Sequence, residues 1–97
     1  MEVKFRTRRL EKCAKEHKEA IRVFGHQLGL RYMQRIQDIQ CCRSIDDFWT
    51  FPAFRFHELK GDRKGQCAIR LTGQMRLIVT FPREGVVKVE EVSKHYE

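Results

Sequence analysis

At 97 residues the chain is long enough for one hydrophobic core, which takes roughly 50 residues, and too short for two, so a single domain spanning residues 1–97 is expected. Hydrophobic residues make up 41% and include seven Phe and one Trp, which excludes a disordered chain although 34% of residues are charged. The net charge of +7 makes a polyanion or an acidic protein the natural partner, through Coulomb steering and counterion release.

Val3 and Phe5 alternate with Glu2, Lys4 and Arg6, the period-2 pattern of a short half-buried strand. Charges at every second position are not the pattern of a secretory signal. With no apolar run near the roughly 18 residues of a membrane span, a cytoplasmic protein with no membrane partner is expected. Thr7 can cap the next element, where Leu10, Cys13, Ala14, His17, Ile21 and Phe24 form one stripe of a helix over residues 8–24 that Gly25 stops. A second helix is expected over residues 26–42, with Leu28, Tyr32, Ile36 and Ile39 on one face and Arg31 and Arg35 elsewhere on its circumference. Gly25 thus joins a helical hairpin.

Ser44 with Asp47 three residues on resembles a capping box for a short turn through Phe48 and Trp49, which Pro52 ends. The aromatic cluster Phe48, Trp49, Phe51, Phe54 and Phe56 is read as a core plug in preference to a base-stacking platform, which would require exposed rings. Beyond it the pattern changes to strands over residues 54–60, 66–71, 75–81 and 86–92. Short connections, Gly61-Asp62-Arg63-Lys64-Gly65, Thr72-Gly73-Gln74 and Pro82-Arg83-Glu84-Gly85, imply antiparallel neighbours. The expected fold is α+β: an N-terminal strand, a two-helix hairpin, then an antiparallel four-strand meander. Helices cover its apolar face and the opposite face stays open.

Charge is segregated along the chain. Residues 1–35 carry ten Lys/Arg against four Glu, and residues 54–83 carry seven against two acids, whereas 36–53 and 84–97 are acidic. A basic face follows. The four cysteines, Cys13, Cys41, Cys42 and Cys67, form no C-x-x-C pair, and are read as reduced small hydrophobes.

Arg70 and Arg76 are out of phase with the apolar residues of their strands, which a three-residue turn joins, so both are expected to project from the open face as neighbours. Paired guanidiniums suit a phosphate between them; the alternative is two solvated surface arginines. His57, in Arg55-Phe56-His57-Glu58-Leu59-Lys60 just before the basic loop, has the most suggestive setting of the four histidines. An imidazole exchanges protons near neutrality while Lys60 and Arg63 stay positive, a minimum kit for RNA cleavage in which the 2′-hydroxyl attacks the adjacent phosphate. A purely structural His57 is the competing reading. His95-Tyr96 is a weaker pair, His17 reads as a core-edge residue and His26 as a helix-start residue. Gly61 and Gly65 lack the Gly-Lys-Ser/Thr order of a P-loop, which disfavours nucleotide binding.

The stretch 55–66, followed by Ile69-Arg70 and Gln74-Met75-Arg76-Leu77-Ile78, strongly resembles the signature of HigB-like toxins (the plasmid maintenance killer protein type) in the RelE/ParE superfamily. The Val3-Lys4-Phe5 start, the hairpin, and the ending Glu90-Glu91-Val92-Ser93-Lys94-His95-Tyr96 also look like that family, so the resemblance covers essentially the whole chain. It implies the toxin of a type II toxin–antitoxin pair, a ribosome-dependent mRNA endonuclease working without metal or other cofactor. Carried over by position, it implies catalytic roles for His57, Lys60, Arg70, Arg76, His95 and Tyr96, and substrate contacts from Arg55, Arg63 and Lys64. Relatives commonly end Asp-Tyr-His. Here the ending is Lys94-His95-Tyr96-Glu97, so Tyr96 matches, His95 replaces the acidic residue and Glu97 takes the place of the histidine. The implied partners are the ribosome and mRNA, a HigA-like helix-turn-helix antitoxin, and operator DNA only through the antitoxin complex. Two rival functions remain: a ParE-like inhibitor of DNA gyrase, favoured less by the strand histidine and the 61–65 loop, and a non-catalytic RNA- or ribosome-binding module.

Overall fold

The alternating start of the chain forms β1 (Glu2–Phe5) in a computed structural model that describes residues 1–94. Thr7, in extended conformation, caps α1 (Arg8–Lys15): its Oγ1 accepts the Leu10 N–H at 3.1 Å. The helix expected to run unbroken to Phe24 is divided at Glu16 (φ −120°, ψ 114°), and α2 covers His17–Phe24. The inner face is interrupted there. Cys13 and Ala20 are both fully buried, and Val23 and Phe24 pack on the core, whereas His17, expected at the core edge, is exposed.

Gly25, at φ 85°, turns the chain into α3 (His26–Cys41), whose buried face carries Tyr32, Ile36 and Ile39 as the periodicity predicts. The Tyr32 hydroxyl donates to the Leu10 carbonyl at 2.8 Å and ties α3 to α1. Gly29 is where α2 and α3 touch: a Cβ there would lie 2.7 Å from the Ala20 carbonyl oxygen and 3.1 Å from the Ile21 nitrogen. Gly29→Ala gains about 1 kcal/mol of helix propensity but forces two backbones apart at a cost of about 1–3 kcal/mol. Because the obstructing atoms are main chain, net destabilisation is expected, seen as a lowered midpoint in thermal unfolding; an unchanged or raised midpoint would refute the close-contact account.

α4 (Ile45–Thr50) starts at Ser44 as expected, but the two side chains cap neighbouring groups and not each other: Ser44 Oγ accepts the Asp46 N–H at 3.3 Å, and the Asp47 carboxylate accepts the Arg43 N–H at 2.7 Å. A 3₁₀ turn, Pro52–Phe54, follows. The aromatic cluster is not one plug. Phe48, Phe54 and Phe56 are buried, with ring centroids of Phe48 5.3 Å from both others, but Trp49 is 54% and Phe51 40% exposed. On so short a helix successive residues face different ways, and Phe48 took the core side.

The remaining strands are β2 (His57–Glu58), β3 (Cys67–Arg70), β4 (Met75–Arg83) and β5 (Val86–Lys94), in the order β1-β5-β4-β3-β2. β2 to β5 form the antiparallel meander, and β1 adds to the outer edge of β5 in parallel, with Glu2 opposite Val86 and Phe5 opposite Val89. β2 is far shorter than its expected 54–60 span, because the 3₁₀ turn consumes Phe54 and Arg55 takes a left-handed conformation at φ 44°. Helices and sheet meet in a core where Cys67, Ile69, Leu71, Leu77, Val79, Val87 and Val89 oppose Tyr32, Ile36 and Ile39. Burial pushes the thiols of Cys13, Cys42 and Cys67 up from their ordinary range, which keeps them protonated and poorly nucleophilic; all four cysteines are free and Cys41 is exposed. Among the described residues no helix is long and apolar enough to cross a membrane.

Candidate active site

Cross-strand partners in a pleated sheet share a face, so register alone fixes what lies on the side opposite the helices. One row reads His57, Ala68, Ile78, Glu91, and the next reads Arg70, Arg76, Ser93. Ala68 and Ile78 are buried yet stand outside the helix-side core. They floor a cleft of ≈300 Å³ whose walls are Leu59, Arg63, Arg76, Ser93 and Lys94.

The wall on the β2 side is made by the glycine-flanked loop. It closes through Leu59 N–H to the Gln66 carbonyl (2.9 Å) and Gln66 N–H to the Arg63 carbonyl (2.9 Å), and then reaches across the sheet: Arg63 Nη2 meets Glu91 Oε1 on β5 at 3.1 Å. Both groups are more than a third exposed, so the pair contributes only about 0–1 kcal/mol. Its consequence is geometric. It carries Arg63 over the cleft beside Arg76 and Lys94.

Arg76 braces the opposite wall. Its Nη1 donates to the carbonyls of Thr72 at 2.9 Å and Met75 at 3.1 Å, which pins the β3–β4 turn. Arg70 is its direct cross-strand partner, half-buried and outside the cleft lining. His57 is half-buried, and its Nδ1 lies 3.0 Å from the Arg55 carbonyl oxygen. A carbonyl only accepts, so Nδ1 is the donor in this contact, which fixes the orientation of the ring. With strands roughly 4.8 Å apart and about 3.4 Å per residue, the Cα atoms of His57 and Arg76 are roughly 12 Å apart, a gap that a phosphodiester and two long side chains span.

Of the residues singled out from the sequence, Arg63 and Arg76 line the cleft, while His57 and Arg70 share its face. Lys60 and Lys64 are exposed on the loop, and Arg55 is exposed at its left-handed turn, none of them in the lining. His95 and Tyr96 lie outside the described residues. Sequence reasoning overlooked Lys94, Ser93 and Glu91. The parity of β5 hides Glu91 and Ser93, because a bulge between the pairs Ile78–Glu91 and Val79–Val89 inserts Glu90 and shifts the alternation; Lys94, opposite Met75, borders the cleft from the end of the strand. Glu90 accepts from Thr80 Oγ1 at 2.7 Å. Among the described residues, no three His, Cys, Asp or Glu side chains are gathered as a metal site would require.

No family model and no curated protein matches the chain. Solved structures do. The YoeB/ParE toxin from Agrobacterium tumefaciens superposes with a TM-score of 0.59 at 18% identity, covering 99% of this chain and 100% of that one. The YoeB-YefM complex from Staphylococcus aureus gives 0.57 at 14%, covering 99% and 98%. The chain has the RelE/ParE-type toxin fold. YafQ from E. coli agrees, at a TM-score of 0.54 and 14% identity over 97% of this chain and 92% of that one. In this toxin fold the four helices pack against one face of the five-strand sheet, so the cationic cleft described above occupies the other.

Proposed function

We propose that the chain is the toxin of a type II toxin–antitoxin pair, of HigB-like type, a single 1–97 domain that cuts mRNA on the ribosome. The observation that carries this reading is the cleft itself: Arg63, Arg76 and Lys94 are among the residues that line it, and its apolar floor of Ala68 and Ile78 is in register with His57. Three cations around a cavity of nucleotide size suit a phosphodiester better than a peptide carboxylate.

In the proposed reaction His57 Nε2 takes the proton of the RNA 2′-hydroxyl, and the freed oxygen attacks the adjacent phosphorus. The P–O5′ bond breaks, leaving a 2′,3′-cyclic phosphate and a 5′-hydroxyl. Arg76 and Arg63 hold the charge that grows on the phosphoryl oxygens, with Arg70, Lys60 and Lys94 adding to the field. A proton must reach the departing 5′-oxygen, and in this proposal His95 donates it, with Tyr96 ordering the base or phosphate. Arg55 and Lys64 contact the flanking backbone. The partners are the ribosome, its message, and a HigA-like antitoxin through which operator DNA is bound; that the similar YoeB occurs in a complex with YefM supports a protein partner for this fold.

Purified protein added to a translating system, followed by primer extension on the message, is expected to yield discrete cuts that disappear in the absence of ribosomes and in His57→Ala. Inhibited gyrase supercoiling with an intact message would replace this reading with the ParE-like one. Salt-sensitive RNA binding with no cutting at any pH would leave a binding module.

A further inference from the structure

Arg35 is the one charged side chain among the described residues that the core encloses, at 6% exposure. A guanidinium taken out of water carries a desolvation penalty that apolar packing at the same place avoids, so its presence asks for a reason beyond filling space. Its hydrogen bonds supply one. Nε donates to the Arg70 carbonyl at 2.9 Å, Nη2 to the Ala53 carbonyl at 3.2 Å, and Nη1 to the Asp38 carboxylate at 3.1 Å, with the group lying 5.7 Å from the Phe54 ring centroid.

Those two carbonyls belong to different halves of the proposed site. Ala53 is on the segment that enters β2 and presents His57; Arg70 ends β3, next to Arg76 across the strand pair. The sheet itself holds these halves together weakly, since β2 pairs with β3 only at His57–Ala68 and Glu58–Cys67. One turn earlier on α3, Arg31 Nη1 donates to the Leu71 carbonyl at 3.2 Å, so the helix grips the end of β3 twice. We infer that Arg35 is a positioning residue: its planar fork, which a lysine cannot imitate, sets the spacing between the strand of His57 and the strands of Arg70 and Arg76. The inference rests on the cleavage reading above.

The test is Arg35→Lys, which keeps the charge and loses the fork, compared with wild type and Arg76→Ala. Folding is checked by circular dichroism and thermal unfolding, cleavage by steady-state kinetics on ribosome-bound message, and alignment by amide hydrogen exchange over residues 57–71 and by the His57 ring signals in NMR. Folded Arg35→Lys is expected to lose at least about tenfold in kcat with KM changed less than about twofold, together with faster exchange at residues 57–59 and displaced His57 signals. Wild-type kcat in the folded variant, or a loss that matches only its unfolded fraction, overturns the inference. If Arg35→Lys does not fold, Asp38→Asn loosens the Nη1 anchor while leaving the fork, and the same readouts apply. Should wild-type protein cut nothing, the cleavage reading fails separately, and unchanged exchange and ring signals in the variant would still overturn the alignment claim.

Discussion

Arg76→Ala is expected to lower message cleavage by at least about a hundredfold, the usual cost of removing one donor to a developing oxyanion, and to relieve growth inhibition, while the protein stays folded. Folding should survive because the turn that Arg76 braces has other bonds: Leu71 N–H and Thr72 N–H both reach the Met75 carbonyl, at 2.9 and 3.2 Å, and Met75 N–H reaches Thr72 Oγ1 at 3.3 Å. The loss should therefore appear in kinetics, with the unfolding midpoint little changed. Arg76→Lys should recover part of the rate, since a point charge replaces the fork. A folded Arg76→Ala protein that cuts message at the wild-type rate would remove the phosphate-binding role assigned to the cleft.

The largest stability effect is expected at Phe48. Its ring lies 5.3 Å from both Phe54 and Phe56 and 5.6 Å from Phe81, so one side chain joins α4, the following 3₁₀ turn, the segment that enters β2, and β4. Phe48→Ala should cost about 3–5 kcal/mol, a large part of the about 5–15 kcal/mol that holds a domain folded, and lower the thermal midpoint by roughly 12 °C or more. The neighbouring Trp49→Ala should cost much less, because that indole is half in solvent and touches the core through Phe56 alone among the described rings, at 4.7 Å. Equal losses at the two positions would contradict the division of the aromatic cluster.

Local rules read well where one rule acts alone. Thr7, Gly25 and Ser44 mark their helix boundaries with the capping and turn chemistry expected of them, and the alternation around Ile69 and Leu77 identifies the covered sheet face. The misreadings come from competition between local pattern and tertiary packing. A stripe through Leu10, Cys13, His17 and Phe24 fits one helix, but the extended Glu16 divides it and His17, next to the break, is exposed. Arg35 looks like a surface charge because nothing local announces the carbonyls of Ala53 and Arg70 that receive it.

The site divides the same way. Arg70 facing Arg76 follows from strand parity and a short turn, and holds in the register. Arg63 enters the cleft through an ion pair with Glu91, 28 positions away in sequence, which no local pattern encodes. Ser93 is concealed by the inserted Glu90, since one extra residue reverses every inference of facing beyond it.

The parallel pairing of residue 2 with residue 86 has a kinetic consequence. A newly made chain can form its helical hairpin early from neighbouring contacts, yet β1 has no hydrogen-bonding partner until the fifth strand has been synthesised and the meander has folded. Joining ends so distant adds little to the equilibrium cost, because closure entropy grows only with the logarithm of loop length, but it delays the final step. Until then the inward faces of Val3 and Phe5 remain wet, and a nascent chain interrupted before residue 86 has no route to a finished sheet.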